Sequence, residues 1–214
     1  MTITYYGHSC FKITNHGGHI TIVTDPFDKK IGLKPPRISA DIVTISHFHH
    51  DHNNVKTIGG KPFIVDGPGE YEIKGIKIKG VDSFHDDNKG KERGLNTIYV
   101  MEVDGIKVCH LGDLGQKHLF NSQVEELSQV DVLMIPVGGI YTINGKEAIE
   151  IINQIDPKIV IPMHYLLPKL TIKLDPLDKF LREIGLSSVK PVDKLTLKKK
   201  DLKESEARVI VMKS

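Results

Sequence analysis

Four histidines fall within six positions of this chain, in the run His47-Phe48-His49-His50-Asp51-His52. Imidazoles and carboxylates at that density are first of all metal donors. The run closes residues 40–47, an apolar, β-branched segment expected to form a strand covered on both faces. In an extended chain, His47 and His49 put both rings on one side. A bend before Asp51 and His52 lets a second donor set diverge, as two adjacent ions require. A regular helix would not serve, because residues two apart do not face each other there. At this point a solvated polar loop, or one ion held by His47, His49 and a distant partner, remain the alternatives.

A closed site needs further donors, and three residues stand just past an expected strand. These are His85 in VDSFHDD, Asp113 closing CHLGD, and His164 closing KIVIPMH. Strand ends that meet loops are where metals and substrates collect. Taken singly, His85 and His164 also fit edge histidines, and Asp113 fits a turn or cap.

The elements that must position these residues can be read from the apolar pattern. ITYY, CFKIT and HITIVTDPF are short β-rich pieces, with Pro26 preventing continuation after Asp25. KPFIV is another, and YEIKGIKIKGV reads as two strands joined at a turn or as one bulged strand. Residues 82–96 are expected to be a loop, and residues 96–113 a hairpin turning at Asp104-Gly105. A helix is expected over 116–129, and Asn144 with Glu147 gives a capping-box signal for a second. VDVLMIP and KIVIPMH are buried strands, and a third helix starts at Asp175-Pro176 and stops at Gly185. Two tail strands fall around KLTLK and ARVIVMK. Early strands followed by alternating strands and helices, with no linker, predict one layered α/β domain over residues 1–214.

Composition narrows the class. The 214 residues hold 29 basic and 27 acidic side chains, a net charge of +2 that leaves no footprint for non-specific nucleic-acid binding. The locally basic stretch 195–204 reads as a solvated face. Trp is absent and aromatics are 6%, so stacking platforms for single strands are scarce. Two cysteines, Cys10 and Cys109, make no disulfide framework, and no secretory or membrane-spanning pattern is present in the sequence. A cytoplasmic protein is the expectation.

The ordered set His47-x-His49-x-Asp51-His52, His85, Asp113 and His164, with the opening YYGHSCFKI and VTDPF, resembles the metallo-β-lactamase fold superfamily. Within it, the likeness is to the metal-dependent hydrolases akin to ascorbate-6-phosphate lactonase. The resemblance implies an αββα sandwich, two mixed β-sheets flanked by helices. It also implies that His47, His49 and His85 bind one ion, that Asp51, His52 and His164 bind a second, and that Asp113 bridges them. True β-lactamases carry cysteine or histidine where Asp113 stands, which argues against antibiotic hydrolysis. No inserted arm of the kind that holds tRNA is evident.

Two divalent ions are therefore expected, zinc first, with manganese(II) or iron(II) also compatible with a thiolate-free set. Zinc lowers the pKa of a bound water to about 7, so a bridging hydroxide attacking a carbonyl carbon or a phosphorus is the expected reaction. The charge left on the ions favours a small anionic ester, lactone or phosphodiester. Asp51 is expected to orient the nucleophile, with His8 and His110 as further catalytic candidates. Asp25 is a candidate to fix an imidazole through its second ring nitrogen. Gly138-Gly139 is a candidate anion-holding loop, with Tyr141 and Thr142 as pocket side chains. His50 is expected to point away, Asp86 and Asp87 to be solvated, and His16, His19 and His118 to lie on the surface. The partner is a small molecule, with no membrane; an oligomer is compatible. The competing readings are a metal-dependent nuclease acting on RNA or DNA, and a non-catalytic metal-binding protein.

Overall fold

The computed structural model describes residues 1–202 and 207–214, so the last two residues of the basic stretch 195–204 lie outside the described residues. In chain order the strands begin with β1 (Thr2–Gly7), β2 (Cys10–Thr14), β3 (Thr21–Thr24), β4 (Ile42–Thr44) and β5 (Phe63–Val65). Then come β6 (Gly69–Ile73), β7 (Ile76–Phe84), β8 (Leu95–Val103) and β9 (Ile106–His110). The second half interleaves α1 (Asn121–Glu126), β10 (Val132–Pro136), α2 (Gly145–Ile155), β11 (Ile159–Met163) and α3 (Leu177–Glu183). It ends with β12 (Leu195–Thr196) and β13 (Arg208–Val209).

Two mixed sheets result, ordered β12-β1-β2-β3-β4-β5 and β13-β11-β10-β9-β8-β7-β6. In the first, β1, β2 and β3 pair antiparallel and β3, β4 and β5 pair parallel. In the second, β6 to β9 form an antiparallel meander, after which β9, β10 and β11 run parallel. Strands separated by two antiparallel steps point the same way. The carboxyl ends of β1, β3 and β4 therefore share one edge, as do those of β7, β9 and β11.

Period-two alternation divides the first sheet between two cores. Phe11, Ile13, Ile22 and Ile42 join the large core shared with the second sheet, whereas Cys10, Val23 and Val43 face a smaller one. Buried residues of α2 and α3, such as Ala148, Ile151 and Phe180, belong to the large core. The smaller core is closed by Phe27, Ile31, Ala40, Ile45 and Ile58 from loops and short 3-10 turns. Tyr99 on β8 bolts the sheets together, donating its hydroxyl to the Ile45 carbonyl at 2.8 Å and to the Val65 carbonyl at 3.2 Å.

Most local expectations hold, and the departures have side-chain causes. Asn144 accepts from the backbone of Lys146 and Glu147 while the Glu147 carboxylate accepts from the Asn144 backbone, closing the capping box of α2. The helix expected over 116–129 shrinks to α1, because Gln123 and Gln154 side chains capture the backbone N–H groups of Phe120 and Leu119. The expected loop over 82–96 is shorter than predicted, since β7 runs through Phe84 and β8 starts at Leu95. His118 lies exposed just ahead of α1, and His16 and His19 are exposed at a turn.

One glycine fixes a site residue by close approach. Gly115 donates its backbone N–H to the Phe84 carbonyl at 2.8 Å, and a Cβ there would run into the His85 carbonyl and the Asp86 nitrogen. Gly115→Ala should displace His85 and cost about 1–3 kcal/mol of stability. A urea midpoint unchanged from wild type would contradict this.

Candidate metal centre

Every candidate donor sits at or just past the carboxyl end of a strand. His8 follows β1, Asp25 follows β3, and residues 47–52 follow β4; His85 follows β7, Asp113 follows β9 and His164 follows β11. The two sheets bring these ends to one edge. There the Asp113 Oδ2 lies 3.1 Å from His164 Nε2, 3.3 Å from His52 Nε2, 3.5 Å from His85 Nε2 and 3.9 Å from His47 Nε2. Around it form two donor groups, His47 with His49 and His85, and His8 with Asp51, His52 and His164. The second group is sunk in the protein apart from the partly exposed Asp51, while His49 in the first is exposed. His50 also points out, its side chain 65% exposed.

The orientations of His47 and His52 are set by hydrogen bonds on their outer ring nitrogens. Asp25 accepts from the Ser46 backbone at 2.8 Å, from the Ser46 hydroxyl at 2.6 Å and from His52 Nδ1 at 2.9 Å. With its hydroxyl hydrogen on Asp25, Ser46 Oγ accepts from His47 Nδ1 at 2.9 Å. His47 is thereby held as the Nδ1–H tautomer with its lone pair on Nε2, and His52 has its Nδ1 hydrogen on Asp25, so that both rings turn Nε2 toward the cluster as metal-ligating histidines do. Ser46 precedes the first histidine directly, but nothing in the sequence marks it as the link to Asp25. Asn96 is a second residue that sequence reasoning missed. Its Oδ1 accepts from the Asp113 backbone at 2.9 Å and its Nδ2 donates to the Leu111 carbonyl at 2.9 Å, locking the turn that presents Asp113.

Several expected roles land elsewhere. His110 is buried with both ring nitrogens committed to backbone: Nε2 donates to the Ser9 carbonyl at 2.8 Å, and Nδ1 accepts from Gly112 at 3.1 Å. It braces the Asp113 turn and has no free nitrogen for the proton transfer expected of it. Asp86 is not a solvated loop residue but is buried, its carboxylate accepting from the backbone of Asn88, Gly90, Glu92 and Arg93. Asp87 is exposed and pairs with Lys117. The Gly139 N–H is taken by the Ile143 carbonyl at 3.2 Å, so the 138–139 loop offers no anion cradle through that group. Thr142 is buried, its hydroxyl donating to the Ile143 carbonyl at 3.2 Å, but the Tyr141 ring lies on the surface with the Arg93 guanidinium 5.6 Å from its centre.

The charges fit cation binding. Burial alone would raise the Asp113 carboxyl, yet His164 and His52 beside it hold it well below the usual carboxylate range. Asp51 behaves likewise through hydrogen bonds from His52 and His8, and Asp25 is lowered mainly by its bond from His52. Burial pushes His47 down to about 2 and His8 down to about 4. Burial also opposes charge on His52, but Asp113 and the other carboxylates outweigh it and raise this ring. His47 Nε2 and Asp113 Oδ1 are buried atoms without hydrogen-bond partners, both within the donor cluster. Unpaired buried donor atoms converging from neutral imidazoles and ionised carboxylates fit a pair of divalent ions.

Two outcomes follow for the metal-free and metal-loaded protein. Asp25→Asn keeps the shape but removes the charge from His52 Nδ1, and metal affinity should fall by about 10–100-fold in chelator competition. Unchanged affinity would show that the Asp25 charge does not support the site. In the metal-free protein, His8, His47, His85 and His110 all titrate below their ordinary 6.5. The unfolded chain takes up those protons first, so their stabilising effect is complete above about pH 6.5 and declines as pH falls toward the lowered values. His52 has the opposite sign: its contribution is complete below about pH 6.5 and lost as pH rises through its elevated value. Urea midpoints of metal-free protein should therefore be lower at about pH 5 than at about pH 7. An equal or higher midpoint in acid would overturn this balance.

The comparisons with known proteins agree with the geometry. A family model described as a beta-lactamase superfamily domain matches residues 2–164. A UPF0173 metal-dependent hydrolase from Thermococcus onnurineus is 30% identical over 195 residues, covering 77% of this chain and 84% of its own. The crystal structure of a candidate zinc-dependent hydrolase of the metallo-β-lactamase superfamily from Thermotoga maritima is 43% identical, with a TM-score of 0.80 over 99% of both chains. Igni18, a metallo hydrolase from Ignicoccus hospitalis, shares the fold at 23% identity, with a TM-score of 0.63 over 92% of this chain and 99% of its own. The chain belongs to the beta-lactamase superfamily, among its metal-dependent hydrolases.

Proposed function

We propose that the protein is a dinuclear hydrolase of a small anionic ester, lactone or phosphodiester, with His47, His49 and His85 holding one ion, Asp51, His52 and His164 the other, and Asp113 between them. The observation that carries this reading is the single Asp113 oxygen reached by imidazoles of both donor groups. Bound there, two divalent ions, zinc first, would activate a shared water and take up negative charge developing on an attacked carbonyl or phosphorus. The chain's own part is positional. Asp25 and Ser46 fix His47 and His52, Asn96 and His110 fix the Asp113 turn, and the partly exposed Asp51 stands where it can orient the attacking water.

Pocket shape supports a small substrate. Beside His47 and His49 lies a cavity of about 390 Å³, bounded by Phe48, Pro68, Leu95 and Asp66, with Arg93 as its one arginine or lysine among the described residues. That volume lies in the range of small-molecule sites, and one cation is not the basic groove that a nucleic acid needs. A larger hollow of about 770 Å³, lined by Glu70, Lys77, Lys79 and Glu126 among others, contains none of the donor residues. The resemblance to ascorbate-6-phosphate lactonase favours a lactone or ester over a phosphodiester. The unpaired thiols Cys10 and Cys109, both buried, fit a cytoplasmic setting. We take residues 1–214 to act as a single domain.

The test is removal and return of metal. Chelator-stripped protein should lose turnover of ester, lactone and phosphodiester panels and regain it with zinc, manganese(II) or iron(II). Full activity without metal would refute the proposal. Arg93→Ala should raise KM for anionic members of the panel by about tenfold or more, equivalent to about 1.4 kcal/mol, with a smaller change in kcat. Equal loss on neutral substrates would remove Arg93 as the anion contact.

A further inference from the structure

We propose that His8 is itself a metal ligand, a sixth histidine that completes the coordination of the buried ion. This rests on the dinuclear reading above and concerns a residue outside the donor pattern found in the sequence. His8 sits in the turn between β1 and β2 and is fully buried. Its Nε2 lies 3.1 Å from Asp51 Oδ2 and 3.2 Å from His52 Nε2, while His52 Nε2 and Asp51 Oδ2 are 3.6 Å apart. Neighbouring donors on one five-coordinate ion, each bonded at about 2.0–2.1 Å, stand about 2.9–3.6 Å apart. The three atoms thus form a triangle with the edge lengths of one coordination sphere.

Hydrogen bonding explains the arrangement less well. One hydrogen on His8 Nε2 cannot point squarely at both Asp51 Oδ2 and His52 Nε2. The other ring nitrogen, Nδ1, is buried without a partner. His110 shows what a purely structural buried histidine looks like in this protein, with each nitrogen on a backbone group. The His8 backbone is also held in the left-handed region at φ 56°, a strained conformation for a residue with a Cβ. Its carbonyl is fixed from two sides, by the Tyr5 hydroxyl and the His164 backbone, each at 2.8 Å. Strained backbone held this firmly aims the ring at the site, as His164 is aimed from its own left-handed residue at φ 52°.

The consequence is an asymmetric pair. His8, Asp51, His52, His164 and Asp113 give the inner ion five donors from the chain. His47, His49, His85 and Asp113 give the outer one four, with His49 at the surface and the 390 Å³ cavity beside it. Substrate then approaches from the outer side.

The test uses the full chain loaded with a spin-active cadmium isotope and carrying isotope-labelled histidine, read by metal–nitrogen scalar coupling in NMR. Six ring nitrogens should couple to cadmium, and His8→Gln should remove one and leave the other five. Five coupled nitrogens in the wild type, with two ions bound and none of the five from His8, would overturn the proposal. If His8→Gln does not fold, the wild-type count of six or five still decides. Uptake of only one ion would instead sink the dinuclear reading, and His8 would still be judged by whether its own nitrogen is coupled.

Discussion

A buried carboxylate within 3.9 Å of four imidazoles is the constraint around which this molecule is arranged. An ionised Asp113 inside a protein is costly unless it is paired, and the imidazoles that pair it crowd one another. Burial, helped by repulsion from neighbouring rings, keeps His47 and His8 neutral, while the carboxylates around His52 let that ring take the charge. Such a cluster is poorly balanced by protons alone. A divalent cation shared among the same atoms would satisfy the lone pairs and the negative charge together.

The outer framework prepares the donors for that cation. Asp25 reaches His52 directly and His47 through Ser46, so one carboxylate sets two tautomers. Asn96 and His110 hold opposite sides of the 111–113 turn, where Gly112 is at φ 56° and a Cβ would meet Asn96 and Ser46. The Asp86 carboxylate gathers four backbone N–H groups and shapes the segment that carries Arg93 to the cavity mouth. Each of these side chains acts through another, and none needs to touch a substrate.

Much of this was legible in the residues themselves. Histidines two apart after an apolar strand, and single donors past three other strands, mark the site because metal donors must stand at strand ends to meet. The capping box and the Asp104-Gly105 turn were equally readable, since their bonds are local. What the pattern could not convey lies in contacts between residues far apart in sequence. Ser46 with Asp25, Asn96 with Asp113 and Tyr99 with Ile45 each join segments that only sheet packing brings together. The same holds for His110, where type and position suggested chemistry but the fold supplies backbone partners on both nitrogens. At residues 116–120, glutamine side chains from outside the segment overrode helical periodicity.

The bolting of the sheets by Tyr99 bears on how the chain assembles. His8 and residues 47–52 hang from one sheet, and His85, Asp113 and His164 from the other. Sliding one layer past the other by a single residue moves its strand ends by about 3.3 Å, as far as one donor stands from the next. Neither half can grip a cation pair alone, and a misregistered sandwich cannot either. Cation binding would therefore reward only the docked arrangement and add its binding free energy to the seam between the layers.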